Sequence, residues 1–185
     1  MSDQTARDEL VEAIAAHRAE KDEYFRLAPD SPIEPDDREA FPGLAYFPVD
    51  PAYRFEGLEL GPYEGTEPEI FGMPTSTDDV RRAVRAGTFG FALRGQPLRL
   101  VAYDLGGGEL FVPFLDATSG TDTYGAGRYL DLESEDDGTY TLDFNLAYFP
   151  LCAYSPWYSC PLTPAENRIP VRIEAGERLT AASAD

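Results

Sequence analysis

The sequence predicts a mainly β protein, an antiparallel β-sandwich or barrel with one N-terminal α-helix packed on it. Its 185 residues match the usual size of one domain. One long segment with helical periodicity stands at the N-terminus, and short β-like runs separated by turn sequences follow it. Because several short strands at close spacing are typical of antiparallel sandwiches and barrels, we expect a single domain over residues 1–185.

The first element is a helix from about residue 5 to residue 27, a stretch without Pro or Gly. At 100° per residue, His17, Arg18 and Lys21 fall in the same arc as the apolar side chains. The apolar members of this arc are Leu10, Val11, Ile14, Tyr24 and Phe25. The sole histidine and the sole lysine of the chain are therefore predicted to face the protein body.

An irregular connector rich in proline, residues 28–42, precedes a β-rich body over residues 43–175. The predicted strands are Ala45–Val49, Tyr53–Leu60, Glu69–Met73, Thr88–Arg94, Leu98–Leu105, Glu109–Phe114, Gly127–Leu132, Thr139–Phe144 and Ile169–Glu174. Residues 80–86 are predicted as one or two helical turns started by Thr77 or Asp78. Residues 176–185 are predicted to form a short polar tail.

The charge of the chain excludes several classes of partner. Fifteen Lys and Arg against 34 Asp and Glu give a formal net charge of -19, which argues against nucleic acid and anionic membranes as partners. The large acidic excess with a single lysine indicates a salt-loving source, since the Debye length is about 3 Å in molar salt; an ordinary acidic protein is the alternative. Without a secretory signal or an apolar run of ~20 residues, we expect a soluble, cytoplasmic protein.

Two long segments interrupt the strand pattern, and such segments in compact domains are often functional. The first, residues 115–127, places hydroxyls and a carboxylate beside glycines and is followed by Arg128. It matches neither a P-loop nor a dinucleotide fingerprint. Its polar residues are Asp116, Thr118, Thr123, Tyr124 and Arg128. They either contact a ligand or form a hydrogen-bonded turn that organises the loop.

The second segment, residues 145–167, is rich in proline and aromatic residues and contains both cysteines. Asp143 and Asn145 lead into it on one face of a strand, where they either position a ligand or satisfy loop backbone groups. Cys152 and Cys160 are spaced too widely for a zinc knuckle or a redox Cys-x-x-Cys motif. Three interpretations remain. The two cysteines form a disulfide or thiol pair that holds an aromatic loop, or one of them is a nucleophile, or both are small buried hydrophobic residues.

Lys21 is a candidate functional residue because it is the only lysine in the sequence. One interpretation is that a flexible, titratable ammonium is needed where the rigid arginine fork would not serve. The alternatives are a buried ion pair with Asp116, Asp143 or Glu166, or the chance survival of a single lysine.

These residues resemble the bacterial and archaeal family of unknown function DUF1684 over nearly the whole chain. The motifs that carry the resemblance are Arg18-x-x-Lys21-Asp22-x-x-Phe25, Phe41-x-Gly43-Leu44-x-Tyr46-Phe47, Asp116-x-Thr118-x-Gly120-x-x-Thr123-Tyr124, Gly127-Arg128-Tyr129-Leu130, Asp143-Phe144-Asn145-x-Ala147-Tyr148, Cys152-Ala-Tyr, Cys160-Pro161-Leu162 and Pro164-x-Glu166-Asn167-Arg168. The resemblance implies that the polar residues above are family positions, and it implies no reaction. The family's usual Asn-Pro is replaced here by Phe149-Pro150.

We therefore predict a small-molecule site where the 116–128 loop and the 145–167 segment meet the inward face of the helix. Lys21 and Arg128 would bind a small anionic metabolite, and Tyr124, Tyr148, Tyr154 and Trp157 would wall the pocket. If the protein is an enzyme, a question the sequence leaves open, hydrolysis is the expected reaction. The candidate catalytic residues are Asp116, Asp143, Glu166 and Lys21. The candidate ligand-binding residues are Arg18, Thr118, Thr123, Tyr124, Arg128, Asn145, Tyr148 and Asn167.

The alternative function is a non-catalytic structural or protein-interaction module, in which the same polar residues form a buried hydrogen-bond network. No cofactor and no metal site are predicted under either hypothesis. The oligomeric state is not predicted.

Overall fold

The computed structural model describes residues 3–180 and contains one long helix and two antiparallel sheets. Helix α1 spans Asp3–Leu27. The strands are β1 Arg54–Leu58, β2 Ile70–Pro74, β3 Val80–Leu93, β4 Gln96–Asp104, β5 Leu110–Phe114, β6 Arg128–Leu132 and β7 Tyr140–Asp143. Short 3₁₀ turns lie at Pro35–Asp37, Pro51–Tyr53, Phe144–Leu146, Leu151–Ala153 and Ala165–Asn167. The mainly β fold class with one N-terminal helix is confirmed.

The larger sheet is a meander in which each strand pairs with its sequence neighbour, in the order β2-β3-β4-β5-β6. Its β3–β4 hairpin turns at Arg94-Gly95, where both residues have positive φ, the geometry that matches the right-handed twist of paired strands. Strands β1 and β7 form a separate two-stranded sheet. Because the larger sheet keeps two edges, β2 and β6, the arrangement is sandwich-like rather than a closed barrel.

The larger sheet is covered on both faces. On one face, Phe89, Leu100 and Leu130 pack in the same cluster as Leu142 of β7 and Phe144 behind it. On the other face, a second cluster is closed by the chain after β7 instead of by a sheet. Its members are Met73, Ala83, Val101, Tyr103, Phe111, Tyr129 and Cys160, with Tyr148, Leu151, Cys152 and Tyr158 packed against them. The irregular 145–167 segment therefore replaces a second layer of strands.

Strand β3 corrects the prediction of helical turns over residues 80–86. Buried positions alternate with accessible ones along β3 from Ala83 onward, but the first two buried positions hold Ala83 and Arg85, so no large apolar residue marks the period of two in this half of the strand. A β-bulge between Arg85 and Gly87 then changes the register. Consequently Ala83 packs on one face of the sheet and Phe89 on the other.

Two predicted strands, Ala45–Val49 and Ile169–Glu174, are not strands. Their backbone groups bond to side chains or form single bridges: Tyr46 bridges Glu177, and the Ile173 amide donates to a carboxylate. Glu177 is only 1% exposed, so the polar tail predicted from residue 176 does not begin there. The last five residues, 181–185, lie outside the described range.

Helix α1 contacts the body along a narrow line of residues spaced three or four apart. Ile14 and Phe25 are buried on this line, whereas Val11 and Tyr24 are each 39% exposed. His17 lies on the side of α1 toward the body but is exposed, because it lines concavities beside the helix instead of packing against the core. Within residues 3–180, no helix is both long and apolar enough to cross a membrane.

Candidate functional site

Arg128 is the largest completely buried side chain, and its guanidinium binds the backbone of the C-terminal segment. It donates hydrogen bonds to the carbonyl oxygens of Ile173 (2.8 Å), Glu177 (3.3 Å) and Ala175. Its charge faces the Asp116 carboxylate at 3.5 Å. Burial lowers the pKa of Arg128, and Asp116 opposes that effect. Arg128 is thus occupied inside the protein and does not reach a ligand.

The predicted polar loop is a closed hydrogen-bonded turn. The Asp116 carboxylate accepts hydrogen bonds from the Ile173 amide (2.7 Å) and the Thr118 hydroxyl (2.9 Å). The Thr118 and Thr123 hydroxyls lie 2.9 Å apart, and both residues are completely buried. Gly127 has φ +102° and lies so close to the Phe114 carbonyl oxygen that an added Cβ would approach it to 2.5 Å.

Lys21 forms an ion pair with Glu177, with 2.5 Å between Nζ and Oε1. Asp116, Asp143 and Glu166, the partners expected for Lys21, are paired elsewhere. The second carboxylate oxygen of Glu177 accepts hydrogen bonds from the Phe149 amide (2.6 Å) and the Tyr154 hydroxyl (2.7 Å).

Glu177 therefore ties α1 to the 145–167 segment, and sequence reasoning missed it. The position of Lys21 inside an apolar arc indicates that its charge needs a carboxylate partner. No sequence motif identifies Glu177 as that partner. Gly176 makes this placement possible: its φ is +76°, and an added Cβ would lie 2.5 Å from the Ala147 carbonyl oxygen.

Two tyrosines surround this ion pair. The Lys21 ammonium lies 4.7 Å from the centre of the Tyr148 ring, and the Tyr148 hydroxyl hydrogen-bonds to Asp131. Burial, with the nearby Asp131 charge, raises the pKa of Tyr148 above its usual value; burial and Glu177 do the same for Tyr154. Both hydroxyls therefore remain protonated donors near neutral pH.

Asp143 and Asn145 fix the loop before β1. The Asp143 carboxylate accepts hydrogen bonds from Arg54 (2.8 Å) and from the Asn145 amide (2.9 Å). The Asn145 side chain bonds to both backbone groups of Asp50. Arg18 donates to the carbonyl oxygens of Phe47 (3.0 Å) and Asn145 (3.3 Å). The acid–amide pair thus satisfies loop backbone groups and the charge of Arg54.

Glu166 and Asn167 hold the second face of the large sheet. Glu166 accepts hydrogen bonds from Arg85 Nε (2.7 Å) and the Tyr103 hydroxyl (2.9 Å). Burial would raise the pKa of Glu166, but these two hydrogen bonds outweigh it and lower the pKa. Asn167 bonds to both backbone groups of Val101 and to the Pro113 carbonyl oxygen, bridging β4 and β5.

The four candidate catalytic side chains therefore lie in four separate ion pairs. Asp116 pairs with Arg128, Asp143 with Arg54, Glu166 with Arg85 and Lys21 with Glu177. The structure does not bring them together around one reacting position.

One small concavity lies where the two polar segments meet, and we call it the aromatic pocket. It has a volume of about 230 Å³. Its walls come from the end of the connector, the 116–128 loop, the 145–167 segment and the C-terminal segment. The lining residues are Phe41, Pro42, Gly43, Leu44, Ala45, Tyr124, Phe149, Ala153, Tyr154, Arg178, Leu179 and Thr180. Of the four predicted wall residues, Tyr124 and Tyr154 line it, while Trp157 is 81% exposed.

A second concavity, the acidic cleft, lies between α1 and strands β6 and β7 and has a volume of about 500 Å³. Tyr148, His17 and Arg54 line it together with five carboxylates. These carboxylates are Glu109, Asp131, Glu133, Glu135 and Asp143. Repulsion from Asp131 raises the pKa of Glu109. The crowding of negative charge makes this cleft unfavourable for an anion.

A third concavity, about 860 Å³, is a groove along the first half of α1, and none of the predicted site residues lines it.

Comparison with known proteins gives a family without an assigned reaction. A family described as a protein of unknown function, DUF1684, matches residues 39–178. No curated protein matches the chain. The solution NMR structure of an uncharacterized protein from Haloarcula marismortui is 40% identical, covers 96% of this chain and 98% of its own, and superimposes with a TM-score of 0.69. A haloarchaeal relative agrees with the salt-loving origin that the acidic composition predicts.

Proposed function

Because the chain belongs to the DUF1684 family of proteins of unknown function, we propose a function from its own geometry: a non-catalytic domain that binds a small carboxylate with an apolar body. The ligand class is an aromatic or short aliphatic acid, and the site is the aromatic pocket. The observation that carries the proposal is a set of apolar and aromatic walls with one guanidinium, Arg178, at a place where two long segments meet.

The walls suit an apolar ligand body. Tyr124 from the 116–128 loop and Phe149 and Tyr154 from the 145–167 segment all line this one small volume. At about 230 Å³ the pocket is somewhat smaller than typical drug-sized sites of about 300–1,000 Å³. A single ring or a short chain fits this volume.

Arg178 supplies the charge for the ligand's anionic group. Its side chain is exposed and lies 5.8 Å from the centre of the Phe47 ring. Within residues 3–180, Arg178 has no carboxylate in an ion pair, whereas its neighbour in space, Asp122, pairs with Arg172. A guanidinium with free donors binds a carboxylate through two parallel hydrogen bonds.

The pairing of the other polar residues supports binding rather than catalysis. Each candidate acid or base is neutralised by a partner of opposite charge. Tyr154 lines the pocket, and its hydroxyl already donates to Glu177. A hydrolytic site needs a base within reach of a water or nucleophile, and no such base lines the pocket among the residues described.

The buried network has a place in this proposal as the scaffold of the pocket. Arg128 and Asp116 fix the loop that carries Tyr124 and the segment that leads to Arg178. Glu177 holds Phe149 and Tyr154. Rigid walls set by such a network reduce the entropy cost of binding a small ligand.

Calorimetric titration with matched ligands tests the proposal. Benzoate is the anionic probe, and benzyl alcohol is the neutral probe of similar size. The salt concentration should be the lowest that keeps the protein folded, because salt screens an exposed ion pair. We expect benzoate to bind and benzyl alcohol to bind about tenfold more weakly, the ratio expected for losing one charge-assisted hydrogen-bonded pair.

Two variants locate the site. Arg178→Gln is expected to remove the preference for benzoate, whereas Arg172→Gln, which removes a guanidinium already paired with Asp122 and Glu174, is expected to leave it unchanged. Ala153→Leu fills the pocket and is expected to abolish binding of both probes. Equal affinity for the two probes, or no binding of either, would contradict the proposal.

A further inference from the structure

The two cysteines of the chain lie side by side, a feature that the proposed function does not use. Cys160 is buried and Cys152 is half-buried, and both are free thiols. The Cys152 amide donates a hydrogen bond to Cys160 Sγ at 3.2 Å. The Cys160 sulfur therefore lies directly against the backbone of Cys152.

The surrounding contacts hold the two sulfurs in this arrangement. The Cys160 amide donates to the Ser76 hydroxyl at 3.1 Å, and the neighbouring Ser159 hydroxyl bonds to Thr75 at 3.0 Å. The loop from residue 153 to residue 159 is therefore anchored to the β2–β3 hairpin independently of any bond between the sulfurs.

We propose that Cys152 and Cys160 form a reversible dithiol site that hydroperoxides oxidise to an intramolecular disulfide. Cys152 is the attacking residue because it is the more accessible of the two. Cys160 is the resolving residue; burial raises the pKa of its thiol to about 11, so it does not attack first.

The chemistry balances without a cofactor. The Cys152 sulfur attacks one oxygen of the hydroperoxide; the O–O bond breaks, and the other oxygen leaves with the Cys152 proton as an alcohol, or as water from hydrogen peroxide. The Cys152 sulfenic acid is then attacked by the Cys160 sulfur. The S–S bond forms, the S–O bond breaks, and hydroxide leaves with the Cys160 proton as water. Two thiols are oxidised and one hydroperoxide is reduced.

Oxidation affects the loop that carries the most exposed aromatic residue. Trp157 is the only tryptophan in the chain and lies between the two cysteines. Its fluorescence therefore reports on the closed loop without any label. Because the loop is short and already anchored, we expect oxidation to alter its mobility more than the stability of the fold.

The test treats the folded full-length protein with one equivalent of hydrogen peroxide. We expect both thiols to disappear in a thiol titration, peptide mass mapping to join the Cys152 and Cys160 peptides, and dithiothreitol to restore both thiols. Trp157 fluorescence should change on oxidation and return on reduction. These measurements use the natural chain, so they do not depend on how a variant folds.

Single-thiol variants assign the two roles. In Cys160→Ser, we expect a Cys152 sulfenic acid that dimedone traps. In Cys152→Ser, we expect Cys160 to stay unmodified over the same time. The proposal is overturned if the natural protein keeps both thiols, if it forms disulfides only between molecules, or if Cys152 reaches the sulfinic acid without joining Cys160.

Discussion

Asp116 and Arg128 show how the strongest polar motif of the sequence is used. The sequence identifies both residues and leaves two interpretations, a ligand site or a turn that organises its own loop. The structure places Arg128 at zero exposure against three carbonyl oxygens. A cation held in this way satisfies backbone groups that would otherwise be buried without partners, so the pair acts as an internal clamp.

Replacing Asp116 by Ala is expected to lower the free energy of unfolding by about 3–5 kcal/mol, because it leaves the buried Arg128 charge without its partner. Asp122→Ala is the matched control from the same loop. Its ion pair with Arg172 is solvent-exposed, so little change is expected. Urea unfolding of both variants measures the difference. Equal effects of the two substitutions would mean that the Asp116–Arg128 pair is not a structural clamp.

Glu166 gives a pH-dependent prediction. Its pKa is lowered in the folded protein, so it stabilises the fold above its unfolded pKa of about 4.3, and this contribution is lost as the pH falls through the folded pKa. The difference in unfolding free energy between the natural protein and Glu166→Gln should therefore be largest above pH 5 and shrink in acid. Glu23→Gln, which removes one exposed carboxylate of α1, is the matched control. A difference independent of pH would refute the Glu166–Arg85 assignment.

Only one member of the ion pair between Lys21 and Glu177 could be recognised from the sequence. Lys21 could be recognised from its position in an apolar arc, but its partner is far along the chain and belongs to no pattern. The sequence motifs favour Asp116, Asp143 or Glu166 as the partner of Lys21, because these acids lie within the motifs. Pairing between distant charges is decided by packing, which local sequence does not encode.

Among the secondary-structure elements, those with large apolar side chains at a clear period were predicted well. Strand β4, Gln96–Asp104, differs from the predicted Leu98–Leu105 by one or two residues at each end. The first half of β3 was missed because its inward positions hold Ala83 and Arg85. The stretch around Ile173 was wrongly predicted as a strand because its apolar residues are buried, although a carboxylate and a guanidinium replace the neighbouring strand.

We predict that side chains in the second half of helix α1 provide most of its attachment to the protein body. Phe25 is 1% exposed and packs against Phe41 and Tyr154, so Phe25→Ala is expected to cost about 3–5 kcal/mol. Tyr24→Ala, which removes the neighbouring but 39% exposed ring, should cost about 1 kcal/mol or less. Thermal unfolding followed by circular dichroism compares them. Similar losses for both variants would show that the helix is not anchored through Phe25.

For the whole molecule, the main departure from a regular sandwich is that irregular chain covers one face of the large sheet. Such chain has unpaired backbone groups, and the buried polar residues of the 116–128 and 145–167 segments satisfy them. The fold class could be predicted from the number and spacing of the strands along the sequence. For the aromatic pocket, the sequence predicts the meeting of the two segments and the wall residues Tyr124 and Tyr154. Arg178 and the other lining residues could not be found without the three-dimensional arrangement, because no sequence pattern indicates that they line a pocket.

The net charge of -19 predicts a strong dependence of stability on salt. Repulsion among the exposed carboxylates destabilises the compact state, and salt screens it. We expect the midpoint of thermal unfolding to rise as potassium chloride increases from low to molar concentration. A midpoint that stays constant over that range would contradict the salt-adapted interpretation of the composition.

A two-dimensional amide NMR titration of the isotope-labelled protein with benzoate tests the proposed site most directly. We expect saturable shifts in three separated parts of the chain that line the aromatic pocket: residues 43–45, Tyr124 with its neighbours, and residues 149–154. Arg178→Gln should weaken these shifts. Shifts confined to the acidic cleft around Asp131, or the absence of any saturable shift, would contradict a carboxylate site held in place by the buried polar network.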